Sequence, residues 1–154
     1  MANDILSAIG SSTDLTITLA SLANGSARQA TQITDATPSI PKIRIFFKVT
    51  TGTSPTAGGV IEFFLSRADD NASELAAGGT GTSDAAFSGD VNTLEHLYSQ
   101  PVTATSDTAY IGSFDIVEPG TDWRLVVKNS TGAALNATGG NHVVRYETIN
   151  PQVQ

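Results

Sequence analysis

The chain has 154 residues, no cysteine and a formal net charge of −7. This length fits one domain whose core needs no disulfide or structural metal, and the lack of thiols removes disulfide and thiolate–metal chemistry. The acidic balance argues against nucleic-acid binding, which needs clustered Lys and Arg to neutralise phosphates, and no stretch approaches the ~20 apolar residues of a membrane helix.

Residues 1–12 read as an N-terminal arm. Ile5, Leu6 and Ile9 are apolar, but Gly10-Ser11-Ser12 separates them from the first alternating segment. The opening Met1-Ala2-Asn3-Asp4 lacks the basic start and apolar run of a secretory signal, so a soluble chain made in the cytosol is expected. Residues 14–19 alternate. Leu15, Ile17 and Leu19 share one face, and Asp14, Thr16 and Thr18 the other, which predicts a half-buried strand. Asn24-Gly25 is a strong turn signal, from which a weaker strand over 26–33 returns.

Residues 42–50 alternate again, with Ile43, Ile45, Phe47 and Val49 inward and Lys42, Arg44, Phe46 and Lys48 outward. Residues 51–59 form a loop rich in Gly, Ser, Thr and Pro. In the strand over 60–67, Ile61, Phe63 and Leu65 point inward, and Glu62 and Phe64 outward. Two such strands about one loop predict an antiparallel hairpin. Pairing Val49 with Ile61 sets Phe46 opposite Phe64 on the outer face. The expected interface is that aromatic pair with Lys42, Arg44, Lys48 and Glu62 as its polar rim, joined by Ile5, Leu6 and Ile9 of the arm. The alternative is that the chain's own arm or its long loop covers the two rings.

Residues 69–90 are Gly-rich, with few large apolar side chains and no period. They read as a long surface excursion with a short helical turn near 73–77. A short strand over 94–99 precedes Pro101. Residues 108–117 place Tyr110, Phe114 and Ile116 on one face. Trp123, Leu125 and Val127 alternate with Arg124, Val126 and Lys128. Leu135 centres a short strand over 133–137. A strand over 142–149, with Val144 and Tyr146 inward, closes a domain spanning 13–150, and 151–154 is a tail. Eight or nine short strands joined by Gly- and Pro-containing turns predict an all-β fold, an antiparallel β-sandwich of jelly-roll-like form. The absence of a repeat of 20–50 residues argues against a propeller or solenoid.

Candidate chemistry is sparse. His96 and His142 fall in different strands, without the partner spacing of a zinc site. The G-x-S-x-G elbow is absent, and Ser113 follows Gly112 in mid-strand. Asp69-Asp70, Asp115 and Glu118 have no evident cleft to pair in, and the EF-hand spacing is missing. Gly78-Gly79-Thr80-Gly81 lacks the Lys of a phosphate loop. Asn-x-Ser/Thr occurs at Asn24, Asn71, Asn129 and Asn136, as expected by chance in so Ser/Thr-rich a chain. The expectation is a non-enzymatic protein with no cofactor and no metal.

One stretch points to a family. Phe114-Asp115-Ile116 leads through Pro119-Gly120 to Trp123-Arg124-Leu125-Val126-Val127-Lys128-Asn129-Ser130-Thr131-Gly132-Ala133-Ala134-Leu135. This stretch resembles small virion structural proteins of tailed bacteriophages. Residues 11–23, from Ser11-Ser12-Thr13-Asp14-Leu15 on, and Lys48-Val49-Thr50-Thr51-Gly52-Thr53-Ser54-Pro55 are similar to the same group. The resemblance covers a minority of the chain and includes no catalytic motif. It implies a particle component, first of all a head decoration or cement protein. Its expected partners are the major capsid protein or other virion subunits, with further copies of itself as a homo-oligomer, and its expected place is the virion, assembled in the host cytoplasm. The alternative is a carbohydrate- or receptor-binding sandwich of a tail or fibre, which would need solvent-facing aromatic rings along a groove.

Overall fold

Strict apolar alternation makes a strand bury one face only, and two such sheets must then pack face to face. The computed structural model describes residues 5–34, 42–68 and 81–153, with the side chains of 5–7, 68 and 151–153 left aside. The described strands are β1 (Ile5–Ile9), β2 (Thr13–Asp14), β3 (Ala27–Gln29), β4 (Ile33–Thr34), β5 (Lys42–Thr50), β6 (Val60–Ala68), β7 (Ala85–Ala86), β8 (Glu95–Pro101), β9 (Ala109–Val117), β10 (Asp122–Ser130) and β11 (Val143–Val153). They form two antiparallel sheets. The front sheet has the order β1-β11-β5-β9, with β2 also paired to β11. The back sheet has the order β7-β3-β10-β6-β8, with β4 also paired to β10. The chain changes sheet at most connections, and the paired orders β2-β11-β5-β9 and β3-β10-β6-β8 are those of a jelly roll.

The core lies between the sheets. Ile43, Ile45, Phe47 and Val49 of β5 meet Ile61, Phe63 and Leu65 of β6 and Trp123, Leu125 and Val127 of β10, all buried as their alternation predicts. Trp123 stands edge-on to Tyr146, with ring centroids 5.6 Å apart. Phe47, Phe63, Tyr98 and Phe114 close the side of the sandwich where β8 and β9 form the two sheet edges. Gly112 makes room for this cluster, because a Cβ there would lie 2.7 Å from the Phe47 ring.

Several expectations change. The predicted hairpin does not form, because β5 pairs with β9 and β11 while β6 pairs with β10 and β8. Residues 51–59 instead cross between the sheets. Backbone hydrogen bonds from Thr51 to Thr108, Gly52 to Ala134, Thr56 to Thr131 and Gly58 to Val102 hold them. Packed sheets stand about 10 Å apart, a gap this loop spans as readily as it would reverse within one sheet. Inward and outward faces are identical in the two arrangements, so alternation does not separate them.

Residues 1–12 do not form a free arm where they are described. β1 pairs along β11 from Ile9↔Ile149 to Ile5↔Val153, so Pro151, Gln152 and Val153 belong to β11 rather than to a tail. β2 continues on the same strand through Tyr146↔Thr13 and Arg145↔Asp14. Residues 15–19 keep the predicted phase, with Leu15 and Leu19 buried, but they leave the front sheet. The Leu15 amide donates to Val144, whereas Thr16 accepts from Thr31 beside the back sheet. The Asn24-Gly25 turn forms, with Gly25 at φ +78°, yet β3 returns onto β10 rather than onto residues 14–19. Leu135 makes a single bridge with Thr51 instead of a strand. The predicted helical turn near 73–77 lies outside the described residues.

Candidate functional site: the outer faces of the sandwich

Outward positions on the front sheet are set by the same period of two. Phe46 lies between Ser113 of β9 and Arg145 of β11, Lys48 between Ile111 and Val143, Arg44 between Asp115 and Glu147, and Lys42 between Val117 and Ile149. Phe46 is 36% exposed, Ile111 76%, Val117 63% and Ile9 64%. The charges among them are largely neutralised in pairs. Arg44 holds Asp115 with two hydrogen bonds, Nε to Oδ1 at 2.7 Å and Nη2 to Oδ2 at 3.2 Å, and Lys42 Nζ lies 2.7 Å from Oδ2. The hydrogen bonds from Arg44, aided by Lys42, outweigh partial burial and pull the Asp115 carboxyl down to about 2. Arg145 Nε donates to Asp14 at 2.5 Å. The front face is thus a set of exposed apolar side chains among charges of which Lys42, Arg44, Asp115, Asp14 and Arg145 are paired, while Lys48, between Ile111 and Val143, has no ion-pair partner among the described residues.

The back face differs. Phe64 points outward, as predicted, but is only 5% exposed. Phe87, Val91 and Val126 pack on it in a second, smaller core, and His96 meets its ring edge-on at 5.3 Å. The cover is the later part of the stretch expected to be a loose excursion. β7 pairs with β3. Arg28 Nε donates to Asp84 at 2.6 Å, the Thr18 hydroxyl donates to it at 2.5 Å, and Gln29 Nε2 donates to Ser83 at 2.9 Å. Burial pushes the Asp84 carboxyl up, but the hydrogen bonds from Arg28 and Thr18 outweigh it and leave its pKa below the usual value. Arg124, on the same outward side, is fully buried, and burial lowers its pKa. Its guanidinium nitrogens have no hydrogen-bond partner among the described residues.

The predicted interface is therefore divided. Phe46 and Phe64 lie on opposite outer faces, so no joint aromatic patch exists. Lys42, Arg44 and Lys48 stay beside Phe46. Glu62 lies on the back face, accepting from Ser130 Oγ at 2.9 Å with Lys128 Nζ at 3.6 Å. Ile9 joins the front face beside Ile149. Ile5 and Leu6 are placed in β1, but their side chains lie outside the description. Ile111, Val117 and Val143 were missed. A signal for the first two was present, because an inward set of Tyr110, Phe114 and Ile116 leaves Ile111 and Val117 pointing out.

Among the described residues the candidate chemical groups do not converge, and Asp69-Asp70 lie outside them. His96 Nε2 lies 2.9 Å from Ser99 Oγ. His142 Nδ1 accepts from the Thr50 amide at 3.4 Å and Nε2 donates to the Asn136 carbonyl at 2.8 Å, which assigns the neutral tautomer. Ser113 faces solvent beside Phe46, away from both. Among the described residues, no three His, Asp or Glu side chains are grouped to hold a metal. Asn129 is fully buried. Its Nδ2 donates to Leu22 and Ala133, each at 2.8 Å, and its Oδ1 accepts from the Thr131 amide and hydroxyl. These bonds build a tight turn, with Gly132 at φ +86°. In comparisons with known proteins, the chain matches no protein-family model and no curated protein sequence.

Proposed function

We propose that this chain is a non-enzymatic structural subunit of a tailed-phage particle, first of all a decoration or cement protein of the head, acting through its outer faces. The observation that carries the reading is the front face, where Phe46, Ile111, Val143 and Ile9 stand exposed beside the paired charges of Lys42, Arg44, Asp115, Arg145 and Asp14. Contact with another subunit buries such apolar side chains favourably, with Lys48 as the cation between Ile111 and Val143 that the contact must leave wet or pair. The resemblance of residues 11–23, 48–55 and 114–135 to virion proteins supports the same reading. A jelly roll is compatible with it but hosts unrelated functions, so the fold alone carries no weight. The glycan-binding alternative asks for solvent-facing aromatic rings along a groove, whereas Trp123 is fully buried.

The test is attachment. Particles grown without this chain should bind it back to a saturating copy number, and particles grown with it should contain it at comparable abundance by quantitative mass spectrometry. Absence from purified particles together with failure to bind would overturn the proposal.

A further inference from the structure

The two sheet edges on one side of the sandwich are guarded very differently. An edge strand presents unpaired backbone donors and acceptors, and proteins blunt it with bulges, proline, charge or a covering element. β8, the edge of the back sheet, is blunted. Its register on β6 slips between Phe63 and Phe64, pairing Tyr98 and then His96 and leaving Leu97 out, and it ends in Pro101. β9, the edge of the front sheet, has none of these devices. It pairs with β5 in unbroken register from Ala109 to Val117, and among the described residues no strand covers its other side. It contains no Pro, Lys or Arg. Its one charged residue, Asp115, is turned onto Lys42 and Arg44 of its own sheet. Ile111 and Val117 of the same strand are highly exposed.

We infer that β9 is a self-association edge, on which a second copy of this chain adds its own β9 antiparallel so that the two front sheets become one. The register is set by side-chain complementarity. A two-fold axis through Phe114 sets Ile111 against the partner's Val117 at both ends of the seam. It also sets Ser113 against the partner's Asp115, a hydroxyl against a carboxylate. An axis through Ser113 would oppose Ile111 to the partner's Asp115, and one through Asp115 would face two carboxylates, so neither matches as well. Phe114 lies on the axis and is held from within by its stack on Tyr98, with centroids 5.5 Å apart and planes 14° from parallel. The inference goes beyond the particle reading and is tested on the purified chain in solution, so its failure leaves attachment to a particle untouched.

The cysteine-free sequence gives a clean test. Positions 111 and 117 are separated along the strand by roughly 20 Å, too far for a disulfide within one chain. Oxidation of the Ile111→Cys, Val117→Cys double variant should convert the protein to covalent dimer, while either single variant should stay uncrosslinked, because like positions lie about as far apart across the axis. By sedimentation, the unsubstituted chain should run as a dimer, and the Ile111→Lys, Val117→Lys variant as a monomer with unchanged circular dichroism. A monomeric unsubstituted chain, a dimer indifferent to the lysines, or single-cysteine variants that crosslink as well as the double one would each overturn the inference.

Discussion

Trp123 of the back sheet packs against Tyr146 of the front sheet. It is fully buried and stands edge-on to that ring across the core. Trp123→Ala should cost about 3–5 kcal/mol, the usual loss on emptying a large core site. A urea midpoint that did not move would contradict its burial. His142 makes a prediction of a different kind. Burial, reinforced by the nearby Lys48 charge, lowers its pKa against the opposing effect of the Asn136 carbonyl. The unfolded chain therefore binds a proton that the folded chain resists. This contribution is complete above the unfolded value of 6.5 and is lost as pH falls toward and through the lower folded value. The melting temperature should drop between pH 7 and pH 5, and less steeply in His142→Gln. Equal slopes would show that His142 is not the group responsible. The inward phase of Trp123 was legible from its strand. The role of His142 was not, because both its partners are backbone groups brought in by Thr50 and Asn136, neither of which the strand pattern places beside it.

At the scale of elements, period-two alternation reports which side of a strand faces the core and nothing about which strand lies beside it. The inward sets of β5, β6 and β10 follow from sequence for that reason. The sheet membership of β5 and β6 does not, since it depends on whether residues 51–59 reverse or cross. The same limit explains the divided site. Phe46 and Phe64 are both outward by phase, but only Phe46 is exposed, because Phe87 and Val91 cover Phe64. Those two are isolated apolar residues in a Gly- and Ser-rich stretch, where no period marks them. The two phenylalanines should therefore separate on substitution. Phe64→Ser should destabilise the isolated domain by about 3 kcal/mol or more, since it empties a buried aromatic site and places a hydroxyl there. Phe46→Ser should change stability by less than about 1 kcal/mol. Similar losses for both, read from chemical denaturation, would mean that the second core is not formed.

For the whole molecule, the jelly roll turns a mildly acidic, charge-poor sequence into a sandwich with two unlike outer faces. The back face is sealed by its own chain through β7, Phe87 and the Arg28–Asp84 pair. The front face keeps Phe46, Ile111, Val143 and Ile9 open beside the Lys42–Asp115, Arg44–Asp115 and Arg145–Asp14 ion pairs. The proposed structural role would use that asymmetry, with one side closed by folding and another left for assembly. In the proposed role, the front side is the one used on a phage particle. The most direct measurement is a reconstruction of the intact particle at a resolution that traces the chain. Copies should appear at repeated symmetry positions, with the front face, Phe46 and Ile111 included, against a neighbouring subunit. Copies docked by the sealed back face, or a fully assigned particle with no density for this chain, would contradict it.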